Sequence, residues 1–217
     1  MRALRRFSAS VSVVALAGTL ACSGGASATE GQHVSPTSLA PYVVRAGEES
    51  GFSAVGAPIF TRNAAAWTAG DRRAAADAKR LRGEGFRGAL AENTAGVNGA
   101  AGVSWVIELA SPAAAKSEER AQLKENTAAQ SPSPVTRFSI KYLPASAGFM
   151  SRGNSSTEVD PSETPADAVD ANVLFVEGSC VLMVGDQTGS RVNPAPPVIG
   201  GALEIYGRTA HSGGVCG

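Results

Sequence analysis

Alternating hydrophobic and polar positions mark one segment of the chain as a β-strand. Val103, Trp105, Ile107 and Leu109 alternate with Ser104, Val106 and Glu108. Successive side chains of a strand point to opposite faces, so this spacing predicts one buried face and places Glu108 on the solvent face. A preceding strand is expected over about residues 86–92, and the Asn98-Gly99 pair between the two favours a hairpin turn.

The most apolar part of the chain consists of two short runs, residues 173–176 and 180–184, separated by Glu177-Gly178-Ser179. Runs without alternation are typical of central strands that are covered on both faces. The next residues, Gly185-Asp186-Gln187-Thr188-Gly189, have glycines at intervals similar to those of a phosphate loop. Because the Lys of such a loop is missing, we interpret this segment as a glycine-flanked turn after the strand.

Helical patterns flank these strands. One helical stretch is expected over residues 63–67, followed by a second piece that starts near Asp71 and ends near Arg82. Ser111-Pro112 is typical of a helix start, with Ser as N-cap and Pro in the first position, and this helix should run to about Lys124. The last helix should begin near residues 194–197 and bury a stripe made of Ile199, Ala202, Leu203 and Tyr206.

A further strand is expected around Phe138, Ile140 and Tyr142, which fall on one face. The aromatic side chains that the pattern places inward are Trp67, Trp105, Phe138, Tyr142, Phe175 and Tyr206. Core packing is the default interpretation of this set, and the alternative is that some of them line an apolar pocket.

The order of these elements predicts an α+β fold, in which helices pack on an antiparallel β-sheet. In layout, residues 60–210 resemble the Mog1/PsbP-like sandwich found in some mycobacterial lipoproteins. This resemblance rests on element order and implies no catalytic residues. A ferredoxin-like or cystatin-like arrangement is the competing interpretation.

The N-terminus has the pattern of an export signal. Three arginines precede an uncharged stretch over residues 7–20, and the small residues Gly18, Thr19 and Ala21 lead into Cys22. Residues 1–21 are therefore predicted to be a signal peptide, and Cys22 resembles the acceptor of a bacterial lipoprotein signal. Thr19 stands where such signals usually carry Leu, so an ordinary cleaved secretory peptide is the alternative.

The residues after Cys22 have the composition of a flexible coil, being rich in Ser, Gly, Thr and Ala. We interpret residues 22–41 as a tether and residues 42–217 as a single domain. Export brings the chain to an oxidising compartment, and lipidation of Cys22 leaves only Cys180 and Cys216. These two are predicted to form a disulfide; the alternative is a buried thiol at Cys180 and an exposed one at Cys216.

The charge balance excludes a nucleic-acid binder. The whole chain has 19 basic and 19 acidic residues, and loss of the three signal arginines leaves an acidic excess. Proteins that bind phosphate backbones need a surplus of Lys and Arg. The abundance of Ala, Gly and Arg, together with the signal, resembles small envelope lipoproteins of actinobacteria.

No motif in the sequence predicts catalysis, a cofactor or a metal. His33 lies in the tether and His211 in the glycine-rich tail, where neither is held rigidly against a nucleophile. The acidic loop over residues 151–170 lacks the dense spacing of a calcium loop and is broken by prolines. Paired carboxylates for glycoside hydrolysis would have to come from distant positions, such as Glu92, Glu108 or Glu177.

These observations predict a lipoprotein anchored on the outer face of the cytoplasmic membrane, or a secreted protein if Cys22 is not lipidated. Its expected function is to bind a small-molecule ligand or an envelope protein without catalysis. Two alternatives remain open. One is an envelope hydrolase with dispersed carboxylates, and the other is a structural accessory subunit of an export or cell-wall assembly.

Overall fold

The computed structural model describes residues 34–45, 47–71, 73–96, 100–127, 135–144, 146–152, 168–189, 192–210 and 212–217. Within these residues there are eight strands, five α-helices and one short 3-10 turn at Ala40–Tyr42. The strands are β1 Phe52–Ala54, β2 Ile59–Thr61, β3 Gly88–Gly96, β4 Ala101–Glu108, β5 Thr136–Phe138, β6 Ser146–Arg152, β7 Val169–Glu177 and β8 Cys180–Thr188. The helices are α1 Pro36–Leu39, α2 Ala64–Trp67, α3 Ala74–Gly83, α4 Pro112–Thr127 and α5 Ala195–Thr209.

All eight strands belong to one antiparallel sheet. β1 and β2 both pair with β3, and the sheet continues in the order β3, β4, β8, β7, β6, β5. The predicted fold class, an antiparallel sheet with packed helices, is confirmed. The predicted hairpin is confirmed as β3 and β4, and the two apolar runs are the central strands β7 and β8.

Helices cover the sheet on both faces, which makes three layers. The face covered by α5, here called the α5 face, has Val106, Leu182, Val184 and Phe175 at its centre. The opposite face, here called the α4 face, packs Trp105, Leu174 and Met183 against α4 and the α2–α3 region. Alternate residues of β8 therefore enter two different cores, and this explains why its sequence is apolar without alternation.

Helix α4 begins where the Ser111-Pro112 pattern predicts. The Ser111 hydroxyl oxygen accepts a hydrogen bond from the Ala114 amide at 3.2 Å. Helix α3 is tied to α4 by Arg80, whose guanidinium donates to both carboxylate oxygens of Glu118 at 2.7 and 3.1 Å. Glu118 is fully buried, so this two-pronged pair satisfies a carboxylate that has left water.

The stretch that we interpreted as tether is folded from Val34 onwards. Leu39 and Tyr42 are buried in the α5-face core, although residues up to 41 were expected to be free coil. We call residues 34–44 the N-terminal cover. The Arg208 side chain of α5 holds it by donating to the carbonyl oxygens of Pro41 and Val43, each at 2.9 Å. The predicted boundary at residue 42 is therefore too late, because composition alone did not reveal these buried contacts.

Two predicted side-chain placements are wrong. The centre of the α5 stripe consists of Val198, Ala202 and Ile205, while Ile199, Leu203 and Tyr206 lie at its margin and are only partly buried. Strand β5 ends at Phe138, so Tyr142 does not continue it. Tyr142 lies at a turn with φ +72° and is 74% exposed.

The C-terminal tail returns to the sheet through the predicted disulfide. Cys180 and Cys216 are bonded with a Cα–Cα distance of 5.2 Å, and both are fully buried. The tail is also hydrogen-bonded, because the Ser179 amide donates to the Cys216 carbonyl at 2.7 Å. At Gly178 a Cβ atom would lie 1.6 Å from that carbonyl oxygen, so only glycine permits this close approach.

Candidate functional site at the polar end of the sheet

The α5 face of the sheet changes from apolar to polar along the central strands. In β8, Cys180, Leu182 and Val184 lie on this face, and the next residue on it is Asp186. The cross-strand neighbours of Asp186 are Gly102 in β4 and Ala171 in β7, and Thr94 of β3 lies beyond Gly102. Segment 185–188, which we interpreted as a turn, is thus part of β8, and its acid faces the core.

A second carboxyl group meets Asp186 from outside the sheet. Glu49 comes from the irregular segment between the N-terminal cover and β1, and its carboxyl group lies against that of Asp186. Thr94 donates its hydroxyl to Glu49 Oε2 at 3.0 Å. Glu49 is 2% exposed and Asp186 is fully buried. We call Glu49, Thr94 and Asp186 the acid pair site.

Two ionised carboxylates cannot hydrogen-bond to each other, because neither has a donor. Glu49 Oε1 and both oxygens of Asp186 are buried and accept no hydrogen bond from a donor among the described residues. One shared proton removes this conflict, since a protonated carboxyl donates to the ionised one. The pKa of Asp186 is raised to about 10, mainly by burial and secondly by the adjacent carboxyl group of Glu49. Burial also raises the pKa of Glu49.

Gly102 makes room for the acid pair site. A Cβ atom at this position would lie 2.3 Å from Thr94 Oγ1 and 2.4 Å from Asp186 Oδ1. Both oxygens are buried in the sheet and cannot swing into solvent, so any larger residue at position 102 would displace them.

We therefore expect Gly102→Ala to lower the free energy of unfolding by about 2 kcal/mol, because the methyl group overpacks the site. Gly200→Ala in α5 is the matched control, since a Cβ there meets nothing within 4 Å. That control should raise the free energy of unfolding by up to about 1 kcal/mol through helix propensity. Urea denaturation of both variants measures the difference, and an unchanged or raised stability of Gly102→Ala would contradict the packing described here.

A second buried acid lies at the same end of the sheet, on the α4 face. The Asp170 carboxylate accepts a hydrogen bond from Gln187 Nε2 at 2.8 Å. Asn172, also buried, packs its side-chain oxygen against Gly185 of the neighbouring strand. Buried polar groups are therefore concentrated where β7 begins and β8 ends.

The carboxylates considered for hydrolysis lie elsewhere. Glu108 was expected on the solvent face, but it lies on the α5 face and is 1% exposed. Arg87 compensates for this burial with an ion pair at 3.0 Å, which alternation along a single strand cannot reveal. Burial raises the pKa of Glu108 despite the opposing effect of Arg87. Glu92 is only partly buried, and burial alone raises the pKa of its carboxyl group.

Glu108 and Glu177 are brought to the same row of the sheet. Glu108 pairs with Cys180 in register, and Cys180 pairs with Glu177 on its other side. The Cys180–Cys216 disulfide therefore stands between the two carboxylates. A substrate bond cannot be placed between them in this arrangement, and Glu177 instead accepts a hydrogen bond from the Thr209 hydroxyl.

Several predicted residues lie outside the described part of the chain. These are Cys22, His33, His211, the Asn98-Gly99 pair and most of the acidic loop, residues 153–167. Within the described ranges, no group of three or more metal-ligating side chains is present. No helix in those ranges has the length and hydrophobicity needed to span a bilayer.

Sequence reasoning missed the acid pair site. One signal was available, because the positions Cys180, Leu182 and Val184 extend with period two to Asp186. Asp170 and Asn172 similarly precede the apolar run of β7. The partner Glu49 carries no such signal, since it lies in an irregular segment and contacts strands far away in the sequence.

Comparison with solved structures identifies a similar fold. The extracellular domain of PknH from Mycobacterium tuberculosis superposes with a TM-score of 0.52. The match covers 82% of this chain and 99% of that one, with 11% sequence identity. This chain shares the fold of that extracellular domain. No family model matches the chain, and no curated protein matches it by sequence. The resemblance to Mog1/PsbP-like domains stays a prediction.

Proposed function

We propose that this protein is an extracytoplasmic binding domain of the bacterial cell envelope, anchored through a lipid on Cys22. It binds a small-molecule ligand or an envelope protein and does not catalyse a reaction. The observation that carries the proposal is the fold likeness to the extracellular domain of PknH, which extends over 82% of this chain.

The disulfide supports the same location. Cys180 and Cys216 are both buried, so their bond belongs to the folded core. Such structural disulfides form and persist in oxidising compartments outside the cytoplasm. The export signal over residues 1–21 would deliver the chain there.

The pairing and burial of the acidic side chains favour binding over catalysis. Glu108 is paired with Arg87, and Glu49 and Asp186 are sealed beneath α5. A hydrolase needs two carboxyl groups that flank an open substrate position. Among the described residues, the pair that shares a row, Glu108 and Glu177, flanks a disulfide instead.

We expect Cys22→Ala to abolish anchoring, because acyl chains supply the membrane affinity of a lipoprotein. Fractionation of the producing cells should move most of the protein from the membrane to the medium, or leave it as an unprocessed precursor. Ser23→Ala is the matched control and should stay in the membrane fraction. A Cys22→Ala protein that remains in the membrane at the mature mass would contradict the anchor.

The binding half of the proposal has a separate test. Crosslinking in intact cells, followed by mass spectrometry of the captured chain, should recover a defined envelope partner or a bound small molecule. Turnover of glycan, ester or peptide substrates by the purified protein would instead establish the hydrolase alternative and overturn the proposal.

A further inference from the structure

The outermost strand at one edge of the sheet is interrupted by a short loop. β1 and β2 both pair with β3 in the same direction, and the four residues between them, 55–58, stand opposite only Glu92 and Asn93 of β3. The Val55 amide still donates to the Asn93 carbonyl at 2.8 Å. The two extra residues displace the chain from the line of the strand, and we call residues 55–59 the edge bulge.

The edge bulge is apolar and exposed. Val55 is 50% exposed and Ile59 is 40% exposed, and they are two of the four large hydrophobic side chains that are exposed in the described part of the chain. Every residue of the bulge is exposed, and no residue from position 50 to position 61 is charged. A single apolar side chain on a surface needs no explanation, but a contiguous exposed apolar stretch favours a contact surface.

The chain enters the fold beside the edge bulge. Val34, the first described residue, lies at the end of β2, where its carbonyl oxygen accepts a hydrogen bond from Arg62 Nε at 2.8 Å. A Cβ atom at Gly88 would lie 2.7 Å from Val34 Cγ1, so Val34 is also packed directly on β3. Three residues of extended chain separate Arg62 from Ile59, a distance of about 10 Å.

The connection from this entry point to Cys22 is short. Because the fold begins at Val34, only residues 23–33 separate it from Cys22. A coil of this length and composition would have an r.m.s. span of about 18 Å, whereas a domain of this size is about 40 Å across. Acyl chains on Cys22 would therefore hold the β2 edge of the domain close to the bilayer.

We propose that the edge bulge is a second membrane contact, which inserts Val55 and Ile59 into the headgroup region of the bilayer that holds the anchor. This inference rests on the proposed lipidation of Cys22. Arg62 is exposed next to the bulge, where its guanidinium group suits the phosphates of anionic lipids. The contact would orient the domain, so that the opposite edge of the sheet, at β5, faces away from the membrane and toward ligands or partners.

The shape of this edge favours a lipid surface over a strand from another protein. A partner strand adds to a sheet edge through a continuous row of backbone hydrogen bonds. The edge bulge interrupts that row after Ala54, and Pro58 has no N–H group to donate. A bilayer needs no such row, because apolar side chains enter it without directional partners.

Quenching of a fluorophore at Ala57 by nitroxide-labelled lipids tests the contact. In the lipidated chain, Ala57→Cys supplies the only free thiol, because the other two cysteines of the mature protein are paired. The chain is purified from the producing cells, labelled with a nitrobenzoxadiazole dye and incorporated into vesicles of phosphatidylglycerol and phosphatidylcholine. The dye at position 57 should lose most of its fluorescence. Tyr142→Cys is the matched control, because Tyr142 is exposed near the opposite edge and its dye should lose little.

Val55→Asp separates insertion from mere nearness to the membrane. A charged side chain in the bulge should abolish most of the quenching at position 57, because it disfavours entry into the headgroup region. Flotation of the same protein with the vesicles reports whether the anchor is intact. Tyr142→Asp introduces the same charge near the opposite edge and should leave the quenching unchanged.

The possible results distinguish the contact from the anchor. Vesicle-bound protein with equal quenching at positions 57 and 142 would overturn the contact and leave the anchor standing. A chain that does not float with the vesicles would overturn the anchor, and the contact with it. Quenching that survives Val55→Asp would show nearness without insertion and would also overturn the contact. Shielding of the dye in native membranes, but not in pure lipid vesicles, would assign the edge bulge to a protein partner instead.

Discussion

Replacing Cys180 and Cys216 together by Ala is expected to lower the free energy of unfolding by about 4 kcal/mol. The bond closes a loop across a sequence separation of 36 residues, and the loss of that closure returns entropy to the unfolded chain. Both cysteines are buried, so the double variant also leaves a small cavity in the α5-face core, where the Cys216 amide lies 3.4 Å from the Tyr42 hydroxyl. This loss approaches the lower end of the usual stability of native domains, about 5 kcal/mol.

Urea denaturation of the oxidised wild type and the double variant measures the difference. Val215→Ala is the matched control, because it trims an apolar side chain from the same tail and keeps the bond. We expect it to cost about 1 kcal/mol. A double variant within 1 kcal/mol of the wild type would show that the tail does not stabilise α5 and the sheet.

Trp105→Ala is expected to lower the free energy of unfolding by about 3–5 kcal/mol. Trp105 is 1% exposed and is among the largest buried side chains of the described chain. Its ring meets that of Trp67 edge to face, with centroids 6.3 Å apart and an interplanar angle of 79°. Truncation removes this contact together with the packing of Met183 and Leu174 on the same face.

Far-UV circular dichroism during chemical denaturation gives the magnitude. Tyr142→Ala is the comparison, since Tyr142 is 74% exposed and its loss should change stability by less than about 0.5 kcal/mol. The chain has two tryptophans, so Trp105→Phe leaves Trp67 as a single fluorescent probe of the same core. A loss below about 1.5 kcal/mol in Trp105→Ala would indicate that the α4 face collapses around the cavity.

Local signals predicted the elements whose neighbours are close in the sequence. The Ser111-Pro112 start of α4, the β3–β4 hairpin and the apolar strands β7 and β8 all rest on patterns within about 20 residues. The disulfide was predictable for another reason, because the predicted lipidation of Cys22 in an exported chain leaves two cysteines that can pair. Each of these inferences needed no knowledge of which distant segments meet.

The features that sequence reasoning missed all depend on distant contacts. Glu108 can be buried because it forms an ion pair with Arg87. The N-terminal cover is folded because its backbone binds Arg208 and its apolar side chains pack into the α5-face core. Asp186 was assigned to a turn because glycines flank its segment. In the structure Gly185 remains in the strand, where its missing side chain admits the oxygen of Asn172.

The pairing of β4 with β8 has a consequence for how the protein folds. On one side of this pair, β1 to β4 form contacts within a short stretch of chain, and on the other side β5 to β8 form a second local meander. Among the described strands, the two halves of the sheet are paired only where β4 meets β8, and this closes a loop of about 70 residues from Glu108 to Cys180. Folding is expected to be slow at this seam, because local hairpins form much faster than contacts of such sequence separation. A newly exported chain would therefore hold two unjoined half-sheets, with the apolar edges of β4 and β8 exposed, until the seam closes.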